Sequence, residues 1–154
     1  MEKLQTYYKM LENCIRELGV DPETCRYQKD GVWGLRIGSA DMWVTISMVE
    51  GENYGYYEVI SPVCQVPMVN TQEFYQEVLE LSHMLYGVGM TKNQDWIYVK
   101  HIRELEGLSE SEMIATLRRV GSYADDYDDY FRKKYFGIGT EQNNRKDAPG
   151  PEKK

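Results

Sequence analysis

Histidine is nearly absent from this chain. His83 and His101 are its two, and neither belongs to an HExxH, HxH or other metal-spaced set. Imidazole is the side chain that ordinarily titrates near neutral pH, so acid–base catalysis has little to draw on. The three cysteines, Cys14, Cys25 and Cys64, are far apart and form no CxxC pair. That spacing argues against a zinc site or a thioredoxin-type motif and favours reduced thiols in a cytoplasmic protein. Cys14 falls on an apolar helix face, where it acts as a small hydrophobe. Cys64, between Pro62 and Pro67, is the least obviously buried. Glycine-rich phosphate loops are missing: Gly87-Val88-Gly89 lacks the third glycine and the βαβ setting. Strong basic clusters are missing as well. The net charge is −7, and Arg118-Arg119 and Arg132-Lys133-Lys134 lie beside acidic runs, so nucleic acid is not an expected partner. No apolar run approaches the roughly 20 residues that span a bilayer. Met1 to Leu18 lacks the basic start and apolar stretch of a signal peptide. The expectation is a cytoplasmic protein with no membrane partner, no cofactor, no metal and no catalytic residue.

What the chain does have is material for a core. Its 154 residues, 42% of them hydrophobic, suit one domain. Thirteen tyrosines stand against three phenylalanines, and tyrosine, with an apolar face and a polar tip, suits half-buried surfaces and interfaces.

Periodicity divides the chain into elements. Leu4, Tyr7, Leu11, Cys14, Ile15 and Leu18 predict an amphipathic helix stopped by Gly19. Asp30-Gly31 predicts a tight hairpin between Cys25–Gln28 and Val32–Ile37. Met42, Val44, Ile46 and Met48 alternate with Trp43, Thr45 and Ser47 as a half-buried strand does. Tyr54 to Ser61 predicts another strand, and Pro62 and Pro67 are expected to end the sheet segment, since proline cannot donate to a ladder. Asn70 and Glu73 resemble a capping box opening a helix through Phe74, Val78, Leu81 and Leu85. A hairpin turning at Lys92–Asp95 follows. Ser109 and Glu112 make a second capping box ahead of a long helix whose stripe is Met113, Leu117, Val120, Ala124, Tyr127 and Phe131. That stripe is expected to pack on the sheet. The order is helix, three or four strands, helix, two strands, helix. Residues 1–136 are expected to form one α+β domain of antiparallel sheet and helices, and residues 137–154, polar and aperiodic, a disordered tail.

Two groups of side chains merit a functional reading. Trp33, Trp43, Tyr54, Tyr56 and Trp96 are expected on strands and are aromatics, the residue types enriched at protein-binding hot spots. Asp125, Asp126, Asp128 and Asp129 could offer oxygen ligands to a divalent cation, although a solvated helix face is the simpler reading. The alternative to protein binding is a small-molecule or enzymatic pocket near Cys64 and His83.

Three stretches carry a family resemblance: Val59–Pro67, a strand leading into a proline-bounded link; Phe74–Met84, a leucine-rich central helix; and Leu108-Ser109 with Leu117–Tyr130, where Ala124, Asp125 and Tyr127 echo a closing "Ala-Asp-x-Tyr". Together they resemble the YbjN-like family, whose fold is that of type III secretion chaperones. The likeness spans about Leu4 to Phe136. It implies an αβββαββα arrangement and a bacterial, non-enzymatic, chaperone-like or regulatory protein. Such a protein would hold a segment of a partner polypeptide, often as a homodimer.

Overall fold

The computed structural model describes residues 2–137 and 145–151. Helix α1 (Glu2–Glu17) buries Leu11, Cys14 and Ile15 of the predicted stripe, leaves Leu4, Tyr7 and Leu18 half-buried, and buries Tyr8, which the stripe did not include. It ends in a Schellman motif, with Gly19 at φ 81, its N–H donating to Arg16 and the Val20 N–H to Ile15.

Strands β1 (Val32–Ile37), β2 (Ala40–Met48) and β3 (Gly55–Gln65) form an antiparallel meander. Helix α2 (Thr71–Met84) follows, then the hairpin β4 (Gly89–Asn93) and β5 (Trp96–Glu104), and finally α3 (Glu110–Phe131). Strand β5 inserts beside β3, so the sheet order is β1-β2-β3-β5-β4 and β1 and β4 are its edges. This is the αβββαββα order, α+β in class. The helices lie on one face. Trp33, Tyr57, Phe74, Ile97, Met113, Leu117 and Phe131 fill the space between, and each such side chain contributes about 1.5–3 kcal/mol on leaving water. The α3 stripe packs on the sheet as its spacing requires, Tyr127 remaining half-buried.

Four local expectations are corrected. First, the segment before Asp30-Gly31 is not a full strand. Asp21 caps a short helical turn at Pro22–Cys25 through the Glu23 N–H, leaving only the bridge of Arg26 with Trp33. Gly31 still makes the bend at φ 80, where a Cβ would lie 2.4 Å from the Ile46 carbonyl oxygen. Second, Pro62 does not end the sheet. It sits inside β3 opposite Tyr98, and the register shifts between Pro62 and Cys64. Val63 becomes the extra residue of a bulge, the place where a missing N–H is tolerated. Third, Asn70 caps nothing with its side chain. It adopts a left-handed conformation at φ 58, and the hydroxyl of Thr71 donates to the Pro67 carbonyl at 2.8 Å. Fourth, only half of the second capping box forms. Ser109 Oγ accepts from the Glu112 N–H, while the Glu112 carboxylate turns to Arg103 at 2.6 Å.

The tail also departs from expectation. Residues 138–144 and 152–154 lie outside the described residues. Residues 145–151 return to the domain, with a short helical turn at Arg145–Asp147, and pack on the sheet face opposite the helices.

Candidate protein-interaction surface

Strand alternation sorts the aromatics between two faces. Trp33 pairs with Val44 and points into the helix-covered core, its ring edge-on to Tyr8 at 5.1 Å. One residue along the ladder the parity reverses. Trp43 stands opposite Ile60, Ile60 opposite Lys100, and Pro62 opposite Tyr98. Trp43, Ile60, Trp96 and Tyr98 therefore share the face that no helix covers among the described residues, and they form a second, smaller apolar cluster with Ala148. Tyr56 shares this parity farther along β3. Tyr54, outside the strand, sets its ring edge-on to that of Tyr56 at 5.8 Å. Of the five aromatics singled out from sequence, Trp43 and Trp96 are brought together, Tyr54 and Tyr56 form a separate pair, and Trp33 lies apart in the core. Tyr98 and Ile60 complete the cluster. Tyrosines are too numerous here for residue type to single out Tyr98.

Residues 145–151 form a strap over this cluster. Arg145 anchors it. Its guanidinium donates to the Ser39 carbonyl at 3.1 Å, to Ser39 Oγ at 3.2 Å and to Asp125 Oδ1 at 3.0 Å, and it reaches Asp128 Oδ2 at 3.4 Å. The β1–β2 turn is held by the Asp125 carboxylate, which accepts from the Ser39 hydroxyl at 2.8 Å. Beyond the anchor, Ala148 is buried beside Trp43, Trp96 and Tyr98. The Tyr98 hydroxyl donates to the Pro149 carbonyl at 2.8 Å. Gly150 lies so close to Trp43 that a Cβ would meet the indole at 3.2 Å. Trp43 in turn donates from Nε1 to the Tyr27 hydroxyl at 2.7 Å. Beside the strap a cleft of about 420 Å³ opens, bordered by Ile60, Lys92, Tyr98, Lys100 and Pro149–Pro151.

The acidic run is divided by this arrangement. Asp126 and Asp129 face solvent, whereas Asp128 is buried and clasped by Arg132 at 2.8 Å and by Arg145. Its carboxyl is nonetheless raised above the usual range, because burial outweighs the two guanidiniums. The solvated-face reading therefore fails for Asp128 and half-buried Asp125, which are structural anions. Among the described residues no group of acidic, histidine or cysteine side chains is arranged to hold a metal ion.

Cys64, expected to be the most accessible thiol, is fully buried. The bulge at Val63 turns it to the helix side, opposite Ile97, and burial pushes its thiol far above the ordinary range. Cys14 is pushed up to about 11, by burial first and then by Glu110 and Glu17. Thiolates are thereby disfavoured at both. His83 is exposed on α2, and neither it nor Cys64 lines a described cavity. His101 engages the Gly87 carbonyl through Nδ1 at 2.7 Å. Among the described residues no helix is long and apolar enough to cross a membrane.

The other notable surface surrounds α2. Met68, Val69, Leu79, Met84 and Tyr86 are the most exposed large apolar side chains, from 70% to 99%, and all lie on α2 or within three residues of its ends. The helix is tied down on its inner side. Phe74 meets Phe131 and Tyr135 edge-on at 5.1 and 5.0 Å. Glu77 accepts from Lys134 at 2.7 Å, from Tyr135 at 2.6 Å and from Tyr130.

A family model described as "Putative bacterial sensory transduction regulator", YbjN, matches residues 8–133. The chain belongs to the YbjN family. The match takes in all three helices, except the start of α1, and the whole sheet, but stops short of the strap. No curated protein sequence matches this YbjN-family chain. Among solved structures it is similar to one in the HopA1–SchA chaperone–effector complex, with TM-score 0.63, 11% identity, and coverage of 84% of this chain and 98% of that one. It is also similar to one in the ExsC–ExsE complex, with TM-score 0.62, 11% identity, and coverage of 82% and 93%. At that identity the likeness establishes the fold, which is that of the chaperone structures.

Proposed function

We propose that this protein is a non-enzymatic, cytoplasmic bacterial binding module, chaperone-like or regulatory, that pairs with a second copy and holds a segment of a partner polypeptide. The observation that carries this reading is the apolar girdle of α2. Soluble chains seldom leave several large apolar side chains exposed around one element unless it meets another protein. Leu79, Met84 and Tyr86 suit a surface shared with a second copy. The helix-free sheet face suits a partner segment, with Trp43, Tyr54, Tyr56 and Trp96 as its contacts, while Trp33 supports that face from the core. The solved complexes of this fold, a chaperone with an effector and ExsC with ExsE, support the same reading.

Leu79→Glu tests it. Light scattering of the wild type at micromolar concentration should give a dimer mass, and the variant a monomer of unchanged circular dichroism. Cross-linking in native extract, read by mass spectrometry, should place a partner polypeptide against the Tyr54–Tyr56 face. A wild-type monomer that cross-links to no polypeptide would sink the reading.

A further inference from the structure

The strap has the character of a bound peptide. Its Arg145 fills a polar socket built by Ser39, Asp125 and Asp128, elements far from it in sequence. Three residues on, Ala148 is buried in an aromatic slot between Trp43, Trp96 and Tyr98. Then Pro149-Gly150-Pro151 runs along the sheet, its carbonyl read by Tyr98 and its glycine flat against Trp43. Proline suits that track. It has no N–H to leave unsatisfied over an apolar floor, and its restricted φ lowers the entropy lost on docking. Aromatic floors with a hydroxyl or indole donor are how proline-rich segments are commonly recognised.

The strap also underfills its site. The cleft of about 420 Å³ beside Pro149–Pro151 remains open, and alanine and glycine bury little apolar area compared with the tryptophans beneath them. A segment with the same anchors and larger side chains at the cleft would bury more.

We propose that the helix-free face is a groove for an extended partner segment of the pattern Arg-x-x-Ala-Pro-Gly-Pro, and that residues 145–151 are its tethered occupant, displaced when the partner binds. This rests on the protein-binding reading above and names the chemistry of the segment held. The tether sets the competition. An intramolecular segment acts at an effective concentration of about 1 mM, so a strap of roughly 0.1 mM intrinsic affinity weakens a competing ligand about tenfold.

The probe is a heptapeptide with the sequence of residues 145–151, titrated into the full chain and into its Ala148→Glu variant, with tryptophan fluorescence and calorimetry as readouts. In the variant a carboxylate cannot enter the aromatic slot, so the strap lifts and the groove itself is unaltered. Proteolysis after Arg145 or Lys146 should accelerate in the variant, confirming release. The peptide should then bind the variant roughly tenfold tighter than the wild type. Replacing both peptide prolines by alanine should abolish binding, and adding Tyr98→Phe to the variant should weaken it roughly fivefold, as expected for one lost hydrogen bond.

Several results would overturn the proposal. One is a folded variant with a released strap that ignores the peptide; another is equal binding of the proline-free peptide. A variant that cannot fold would show the strap to be an integral part of the domain rather than a displaceable occupant. Dimerisation of the wild type that disappears in Ala148→Glu would assign the groove to a second copy's strap. The peptide results leave the Leu79 light scattering and the Tyr54–Tyr56 cross-links untouched, so the broader reading stands or falls separately; loss of dimerisation in Ala148→Glu alone would also move the second-copy surface from Leu79 to the groove.

Discussion

Trp33 and Trp43 are near neighbours on paired strands, yet they meet opposite circumstances. Trp33 lies beneath the helices in the main cluster, 1% exposed. Trp43, 9% exposed, is covered by a few residues of strap and by Tyr27. One face of the sheet is closed by two-layer packing and the other by a short irregular strap that lays Ala148 and Gly150 over the tryptophans. The difference teaches that low exposure has two meanings here. On the helix side it reflects a core that cannot open without unfolding. On the strap side it reflects a cover that contributes little apolar area of its own.

The sharpest test of that contrast is Trp33→Ala. A large aromatic removed from a closely packed core should cost about 3–5 kcal/mol, read as a fall in the urea midpoint at unchanged slope. Trp43→Ala should cost less, about 1–3 kcal/mol, because the strap can settle or lift and admit water where the indole was. Equal losses would break the comparison and make the strap face a second true core. The smallest effect is expected from Glu77, which braces α2 against the end of α3. Burial alone would raise its carboxyl, but hydrogen bonds from Lys134, Tyr130 and Tyr135 outweigh that and hold it below the usual range. A carboxylate depressed on folding stabilises above its unfolded value, about 4.3, and that contribution is lost as pH falls through the folded value. Glu77→Gln should therefore cost under about 1 kcal/mol at pH 7, solvent screening included. The wild type and the variant should converge as the pH is lowered below 4, measured by thermal melts across the series.

Much of the fold was legible because local pattern and tertiary demand agree. The α3 stripe from Met113 to Phe131 is a core face at helical period, and Met42, Val44 and Ile46 alternate onto the core side of β2, with Met48 beyond them exposed. The unread features each turn on one residue whose neighbours in space are distant in sequence. Alternation alone puts Cys64 on the same side as Ile60. The bulge at Val63 reverses it, and nothing short of the β3–β5 register reveals that. Asn70 has a good capping side chain, but its left-handed backbone carries the side chain away from the helix N–H groups. In the candidate site, strand type flagged Trp43 and Trp96, whereas Tyr98 and Ile60 became visible only once register put them on one face.

The tail shows the same division most clearly. Polar composition and the lack of an apolar period read as disorder, since Arg145 and Ala148 offer no face of their own. Their order comes from a socket and a slot supplied by the β1–β2 turn, α3 and the sheet. By itself the sequence determined the elements, their order and the antiparallel α+β class, because hydrophobic period and turn chemistry act within a few residues. Only the tertiary structure decided which sheet face stays free of helices, where Cys64 and Asp128 lie, and that residues 145–151 occupy the aromatic groove. Those outcomes depend on register and on charges brought together across the fold, which no local window contains.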